Sequence, residues 1–148
     1  MTPENLATLH ARAFKRQRAW SAAEFAALLN SDHVFLCPGP HGFALGRAVA
    51  DEAELLTITT DPDRRRQGHA RACLLAFETQ ARARGAARAI LEVDHGNSAA
   101  IALYQSAGYD TVATRPAYYG LRNGTRADAL IMAKSLKDET QFPVDQMV

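Results

Sequence analysis

The chain has 148 residues, of which 47% are hydrophobic and 22% are charged, and its formal net charge is +1. This length suits one domain, and a net charge so close to zero argues against binding to nucleic acid or to an anionic membrane surface. No apolar run approaches the roughly 20 residues that a membrane helix needs. Cys37 and Cys73 lie far apart in apolar settings, which favours reduced, buried thiols and a cytoplasmic protein.

The first half of the chain predicts two helices, a three-stranded meander and a longer central helix. Apolar residues at helical spacing predict the first helix over residues 5–18. Ser21 with Glu24 forms a capping box, which predicts a second, short helix starting at Ser21. Apolar residues repeating at three and four positions predict the central helix over residues 68–84. Between the second and the central helix, β-prone runs predict antiparallel strands over residues 34–37, 43–50 and 53–59.

The second half predicts a strand parallel to the last strand of the meander, because a helix crosses between the two. This strand, a further helix and two final strands are predicted over residues 88–93, 99–107, 109–113 and 127–134. We therefore expect an α+β fold with a mixed, mostly antiparallel central sheet flanked by helices. Residues 1–136 are expected to form a single domain. Residues 137–148 carry charges and little apolar periodicity, so we expect a mobile C-terminal tail.

The segment that joins the third strand to the central helix, residues 60–71, predicts an anion site. An Asp-Pro pair ends the strand and Gly68 permits a tight turn, so several backbone N–H groups are expected to point the same way. A helix start carries unsatisfied donors and partial positive charge, to which Arg65, Arg66 and Arg71 add full charges. An ordinary solvated basic loop is the alternative. Neither G-x-x-x-x-G-K-S/T nor G-x-G-x-x-G occurs, which excludes the phosphate loops of NTPases and dinucleotide-binding folds.

Two sequence signatures lie on these elements. The pattern Q/R-x-x-G-x-G/A is met at the strand-to-helix junction by Arg65-Arg66-Gln67-Gly68-His69-Ala70. A second signature runs from Glu92-Val93 through Asn97, Ala100 and Leu103-Tyr104 to Gly108-Tyr109. Together they resemble the GNAT superfamily, the Gcn5-related N-acetyltransferases. The chain is most similar to the RimI-type members, which modify the N-terminal amino group of a ribosomal protein.

Three further segments carry the same resemblance: Phe14 with Trp20-Ser21, Arg115 to Tyr119, and Asp128 to Met132. Two departures concern the expected acceptor region, where Gly120 replaces the usual Pro and Asp94-His95-Gly96 replaces a segment that commonly carries Arg. Two others concern the cofactor region, where Thr60 stands for a more usual Val and His69 for an apolar residue.

The resemblance implies acetyl-CoA as a cosubstrate. The backbone of residues 66–71 would hold its pyrophosphate, and the backbone of the third strand would meet its pantetheine arm. Asn97 resembles a cofactor-contacting residue of the family, and a helix N-cap is an equally good interpretation. The implied cofactor-binding residues are Ile58, Thr59, Thr60, Arg65, Arg66, Gln67, Gly68, His69, Ala70, Arg71 and Asn97.

Glu92 and Tyr104 are the candidate catalytic residues. Glu92 shares a strand face with Ile90, and a carboxylate on an otherwise apolar strand can take a proton from an amine. The alternative is an exposed strand residue paired with an arginine. Tyr104 is the candidate acid, because a phenol with an ordinary pKa of about 10 stays protonated at neutral pH. The alternative for Tyr104 is a core aromatic.

The acceptor groove is predicted from aromatic residues, Trp20, Tyr118 and Tyr119, for which simple packing is the alternative. Cys73 lies on the apolar face of the central helix, so direct transfer is expected rather than a route through an acetyl-cysteine. The five histidines show no metal-ligand spacing, so no metal is expected.

The expected acceptor is the N-terminal α-amine of a protein, and the expected assembly is a monomer or weak dimer without nucleic-acid or membrane partners. A small-molecule amine or a lysine side chain is the alternative acceptor. A non-catalytic acyl-CoA-binding regulatory module is an alternative from another class, since it would keep the anion site without the two catalytic side chains.

Overall fold

The structure, a computed structural model, describes residues 1–137, which form four α-helices and one six-stranded sheet. The predicted tail beyond Lys137 lies outside the described residues. No helix within the described range is long and apolar enough to cross a membrane. The elements in chain order are α1 (Pro3–Ala13), α2 (Ala22–Leu29), β1 (Val34–Gly39), β2 (Gly42–Val49), β3 (Glu52–Thr60), a 3-10 turn (Pro62–Arg64), α3 (His69–Ala83), β4 (Arg88–Asp94), α4 (Ser98–Ser106), β5 (Asp110–Gly120) and β6 (Arg126–Ser135).

The strand order is β1-β2-β3-β4-β6-β5, and β3 with β4 is the parallel pair. The antiparallel meander, the helical crossover and the parallel strand after it are as predicted, and so is the α+β class. The capping box is present, because Ser21 accepts the backbone N–H of Glu24 and Glu24 accepts that of Ser21.

Helices cover both faces of the sheet. On one face α3 and α4 pack on the strands around a core that includes Leu74, Phe77 and Leu91. On the other face α1 and α2 enclose a smaller cluster of buried side chains, Leu6, Phe25, Phe43 and Leu45. Alternation along each strand produces this separation, since successive side chains of a strand point to opposite faces.

A β-bulge and an early end to pairing open the sheet between β3 and β4. Leu45 pairs with Thr57 and Gly46 with Leu55, so Leu56 is the extra residue of the bulge. β3 and β4 pair only as far as Leu55 and Leu91, although both strands continue beyond these residues. The remaining part of β3 therefore has a backbone edge that β4 does not pair with.

Two predicted boundaries are wrong. The first helix ends at Ala13 rather than at residue 18, because Gln17 forms a bridge with Leu121 and the basic side chains after the helix bind tertiary partners. The strand predicted over residues 109–113 continues to Gly120, because the partner strand β6 is long enough to pair with its far end. In both cases long-range pairing decides where the element ends.

Candidate active site

The loop between β3 and α3 has the geometry of an anion-binding helix start. Arg66 has a φ of 63° and Gly68 a φ of 81°, both in the left-handed region, which matches the predicted tight turn. α3 begins without a side-chain cap, and no described residue accepts from its first-turn N–H groups, those of His69, Ala70 and Arg71. Three donors and the positive end of the helix dipole are therefore open to an anion.

Arginines reach this loop in different ways. Arg12 of α1 holds its first part, with Nη2 lying 3.0 Å from Asp61 Oδ1 and 2.8 Å from Asp63 Oδ2. Arg65 and Arg66 are exposed. Arg71 donates to Ser106 Oγ and so joins α3 to α4. The structure thus leaves the two loop arginines near the helix start and engages the third with a neighbouring helix.

The end of β3 lies beside this loop. Its Ile58, Thr59 and Thr60 pair with β2 on one side, while the edge toward β4 has no strand partner among residues 1–137. Thr59 is fully buried, and its hydroxyl lies 3.1 Å from that of Thr57. The three predicted pantetheine-binding residues therefore have free backbone groups on the side where the sheet opens.

A cavity of about 200 Å³ lies between the β1–β2 turn and α3, and Cys37, His41, His69 and Cys73 are among its lining residues. The rings of the two histidines are 4.5 Å apart, edge to face. Both cysteines are free and buried, as predicted, and burial raises the pKa of each thiol. Within residues 1–137 no group of three or more His, Cys, Asp or Glu side chains is arranged to hold a metal ion.

Glu92 lies on the α1–α2 face of β4, beside the opening. Its side chain is 24% exposed, and Oε1 lies 3.0 Å from Arg115 Nη1 on β5. The Arg115 guanidinium also stacks over the Tyr118 ring, 5.2 Å from its centroid. The arginine partner of the alternative interpretation is therefore present, and the partly exposed carboxylate stays a candidate base.

Tyr104 lies on α4 at the opposite side of the sheet. It is 8% exposed, its ring is 5.9 Å from that of Tyr109, and burial raises its pKa to about 12. Its hydroxyl has no hydrogen-bond partner among residues 1–137. Every fully buried side-chain polar atom in this range has such a partner. The hydroxyl must therefore reach solvent-accessible space, although the ring belongs to the core.

The aromatic residues predicted for the acceptor groove divide into two groups. Tyr118 is exposed and Tyr119 half-buried, with ring centroids 5.1 Å apart. Burial raises the pKa of Tyr119, and the nearby charge of Glu92 adds to this effect. Trp20 instead packs in the α1–α2 cluster, with its ring 4.9 Å from that of His10, as the packing alternative expected.

The N-cap interpretation of Asn97 is confirmed. Its side chain accepts the backbone N–H of Ala100 at 3.2 Å and so caps α4. This contact uses one side-chain oxygen and leaves the amide nitrogen available to a ligand.

Sequence reasoning missed two charged neighbours of Glu92, namely Arg115 as its ion-pair partner and Glu54. Glu54 pairs in register with Ile90, so it shares the face of Glu92. Burial raises the pKa of Glu54, Arg47 opposes the rise and Glu92 adds to it. No sequence signal identifies this second carboxylate, because its approach depends on the register between β3 and β4.

The molecule is an α+β protein whose mixed sheet opens beside an uncapped helix, with a carboxylate and a tyrosine on later elements. Residues 4–109 match the model of the Acetyltransferase (GNAT) family, and the chain belongs to this family. The resemblance seen in the two signatures is thereby confirmed.

Similar proteins include the ribosomal protein bS18-alanine N-acetyltransferase of Escherichia coli K12, 46% identical over 91 residues. That match covers 62% of this chain and only 61% of the relative's length. The crystal structure of the ribosomal-protein-S18-alanine N-acetyltransferase from Escherichia coli superposes with a TM-score of 0.78 at 35% identity, covering 89% of this chain and 86% of that one. Naa20 of Chaetomium thermophilum, in complex with a bisubstrate analogue, shares the fold with a TM-score of 0.77 at 21% identity, covering 95% and 87%.

Proposed function

We propose that this chain is an acetyl-CoA-dependent N-acetyltransferase that acetylates the N-terminal α-amine of a protein by direct transfer in a ternary complex. One observation carries the proposal: β3 and β4 stop pairing after Leu55 and Leu91, between an uncapped helix start and Glu92. The Escherichia coli relatives that carry the name of a ribosomal protein bS18-alanine N-acetyltransferase support a protein N-terminus, and a ribosomal one first, as the acceptor.

The residues present fit acetyl-CoA. The diphosphate is an anion, and the first-turn N–H groups of α3 together with Arg65 and Arg66 offer donors and positive charge. The pantetheine arm contains amides, and the unpaired edge of β3 from Ile58 to Thr60 offers backbone groups that pair with amides as a neighbouring strand would. Gln67, His69, Ala70 and Asn97 complete the proposed cofactor contacts.

When bound, acetyl-CoA supplies a thioester acyl group to an amine. An α-amine has a pKa of about 7.7 to 8.0, so it is mostly protonated at neutral pH and must lose a proton to attack. Glu92 accepts that proton, directly or through one water molecule. As the N–C bond forms and the C–S bond breaks, the hydroxyl of Tyr104 donates to the departing sulfur.

A covalent route through Cys73 is disfavoured by the same structure. The thiol is 5% exposed, and burial raises its pKa, which lowers the fraction present as the nucleophilic thiolate. Direct transfer then requires amine and thioester to be bound together, which is why we propose a ternary complex. Residues 1–136 form the proposed catalytic domain.

The acceptor class is tested with matched substrates. The protein is incubated with acetyl-CoA and four acceptors: a short peptide with a free N-terminus, the same peptide with a blocked N-terminus and an internal lysine, a polyamine, and an aminoglycoside. We expect mass spectrometry to find acetylation at the α-amine of the free peptide alone. Transfer only to lysine or to the small amines would overturn the N-terminal assignment.

The regulatory alternative needs a second comparison. A module that only senses acyl-CoA would bind acetyl-CoA equally well with Glu92→Gln and Tyr104→Phe and would show no turnover in the parent. We expect turnover in the parent and a large loss in both variants, with acetyl-CoA affinity unchanged in a calorimetric titration. Equal turnover in all three proteins would remove both residues from the mechanism.

A further inference from the structure

The linker between α1 and α2, residues 14–21, is bound to the end of β4 through the side chain of one arginine. Arg16 Nε lies 2.8 Å from Asp94 Oδ2 and Nη2 lies 3.3 Å from Oδ1, a two-pronged contact. Asp94 is the last residue of β4 and is 4% exposed. Burial disfavours its charged form, but the hydrogen bonds from Arg16 and from the backbone N–H of Gly96 outweigh burial and hold the pKa of Asp94 below its ordinary value.

The same linker is also tied to the turn between β5 and β6. The carbonyl of Arg16 accepts the backbone N–H of Arg122 at 2.9 Å, and Arg122 Nε donates to the carbonyl of Gln17 at 3.0 Å. Gln17 and Leu121 form an antiparallel bridge. The Arg16 side chain therefore joins the linker to the end of β4, and the backbone of residues 16 and 17 joins the linker to the β5–β6 turn.

This connection lies beside the proposed catalytic carboxylate. Asp94 follows Glu92 by two positions on β4, so the two side chains share the face that α1 and α2 leave partly open. The β5–β6 turn follows Tyr118 and Tyr119, which stand next to Arg115 and Glu92. The linker therefore contacts β4 on the same face of the sheet as Glu92.

Gly96 leaves the space in which the guanidinium sits. A Cβ built on Gly96 would lie 2.7 Å from Arg16 Cζ, closer than side-chain atoms pack. Gly96 is not among the residues with positive φ, so its backbone accepts an alanine. A methyl group at this position therefore requires the guanidinium, the end of a flexible side chain, to move away from its place beside Asp94.

We propose that Arg16 is a positioning residue for the acceptor: seated between Asp94 and Gly96, it holds the linker across the groove and so aligns an extended peptide N-terminus with Glu92. This role rests on the proposed function. A linker that is already fixed reduces the entropy lost when the acceptor binds, so losing the Arg16 contact weakens acceptor binding. The acetyl-CoA site lies on the other side of the opening and is unchanged.

The first test separates acceptor binding from chemistry. We expect Arg16→Ala to raise the KM for the peptide about tenfold, because a looser linker adds an ordering cost to acceptor binding, with the KM for acetyl-CoA unchanged. Arg16→Lys, which keeps the charge but not the two-pronged contact, is expected to give an intermediate KM. Arg18→Ala is the control, because Arg18 lies on the same linker but pairs with Glu24 in the first turn of α2 and not with β4.

The second test uses the space above Gly96. Gly96→Ala is expected to raise the peptide KM in the parent and to have no further effect in the Arg16→Ala background, because the clash disappears with the guanidinium. If Gly96 did not act through Arg16, Gly96→Ala would raise the peptide KM by the same factor in both backgrounds. Melting temperatures measured over the same four proteins check the coupling without any substrate.

The outcomes distinguish this role from the proposed function. An active parent whose peptide KM is unaltered by Arg16→Ala overturns the positioning role alone. Equal effects of Gly96→Ala on the peptide KM in both backgrounds would contradict the steric contact between residue 96 and the Arg16 guanidinium. A parent that acetylates none of the amines overturns the proposed function and this role with it. If Arg16→Ala does not fold, the comparison of Arg16→Lys and Gly96→Ala with the parent decides between the same outcomes.

Discussion

The hydroxyl of Tyr104 offers a sharp test of the proposed chemistry, because it can be removed with little effect on the fold. The ring is part of the core, whereas the hydroxyl has no hydrogen-bond partner within residues 1–137. Tyr104→Phe keeps the packed ring and removes no internal hydrogen bond. We therefore expect the free energy of unfolding to change by less than about 1 kcal/mol.

The pKa of this phenol indicates how Tyr104 acts on the departing sulfur, and that role sets the expected catalytic loss. Burial raises the pKa of Tyr104 to about 12, whereas a thiol has a pKa of about 8.5. Complete proton transfer from the phenol to a thiolate is therefore unfavourable, and Tyr104 is expected to stabilise the departing sulfur as a hydrogen-bond donor. Losing one such donor costs about 10² to 10³ in kcat.

The assay measures kcat with saturating peptide and acetyl-CoA, and acetyl-CoA affinity by calorimetry. Tyr109→Phe is a matched control, since its ring lies 5.9 Å away and its hydroxyl donates to the buried Glu78 at 2.9 Å. That variant is expected to lose about 1 to 3 kcal/mol of stability with kcat unchanged. A Tyr104→Phe enzyme within about threefold of the parent kcat would refute the reasoning.

Three more predictions concern the base, the helix start and the pH dependence of stability. Glu92→Gln should lower kcat at pH 7 by at least about 100-fold without changing acetyl-CoA affinity, and retained turnover would exclude Glu92 as the base. Gly68→Ala places a side chain at a φ of 81°, which should cost about 1 to 2 kcal/mol in urea unfolding and weaken acetyl-CoA binding; unchanged stability would contradict it. Burial lowers the pKa of His10 from 6.5 to about 4, so the folded state binds this proton less readily than the unfolded chain. Stability should thus be full above pH 6.5 and fall by up to about 3 kcal/mol as the pH drops toward 4, and a His10→Gln variant with the same pH slope would count against this assignment.

His10 also shows how a buried polar group can be missed in a sequence. Its Nδ1 accepts the backbone N–H of Trp20 at 3.1 Å, and its ring stacks on Phe14 at 4.1 Å. His10 is buried on α1, but the backbone N–H that its nitrogen accepts lies at the other end of the linker. Only the packing of the two helices brings them together.

Local features of the fold were predicted well because their causes are local. The capping box of Ser21 and Glu24, the left-handed Gly68 and the cap of α4 by Asn97 depend on residues within a few positions. Strand alternation likewise placed Glu92 on the face of Ile90. The family was indicated by the resemblance of two signatures to those of the GNAT superfamily, and both signatures are read along the chain.

The contacts that shape the candidate site depend instead on register between distant segments. β3 and β5 are both separated from β4 by a helix along the chain. β3 stops pairing with β4 after Leu55. Glu54 of β3 and Arg115 of β5 approach Glu92 of β4.

The basic residues after α1 show the difference most clearly. By sequence they favour a longer helix, because positive charge stabilises a helix end. In the structure Arg16 instead seats on the buried carboxylate of Asp94, 78 residues away, and the helix stops at Ala13. The sequence by itself determined the elements and, through the resemblance of its two signatures, the family, and it predicted an anion site at the helix start. Only the tertiary structure decided which charges meet at the groove, because an ion pair with a buried carboxylate outweighs a helix-end preference of a few tenths of a kcal/mol.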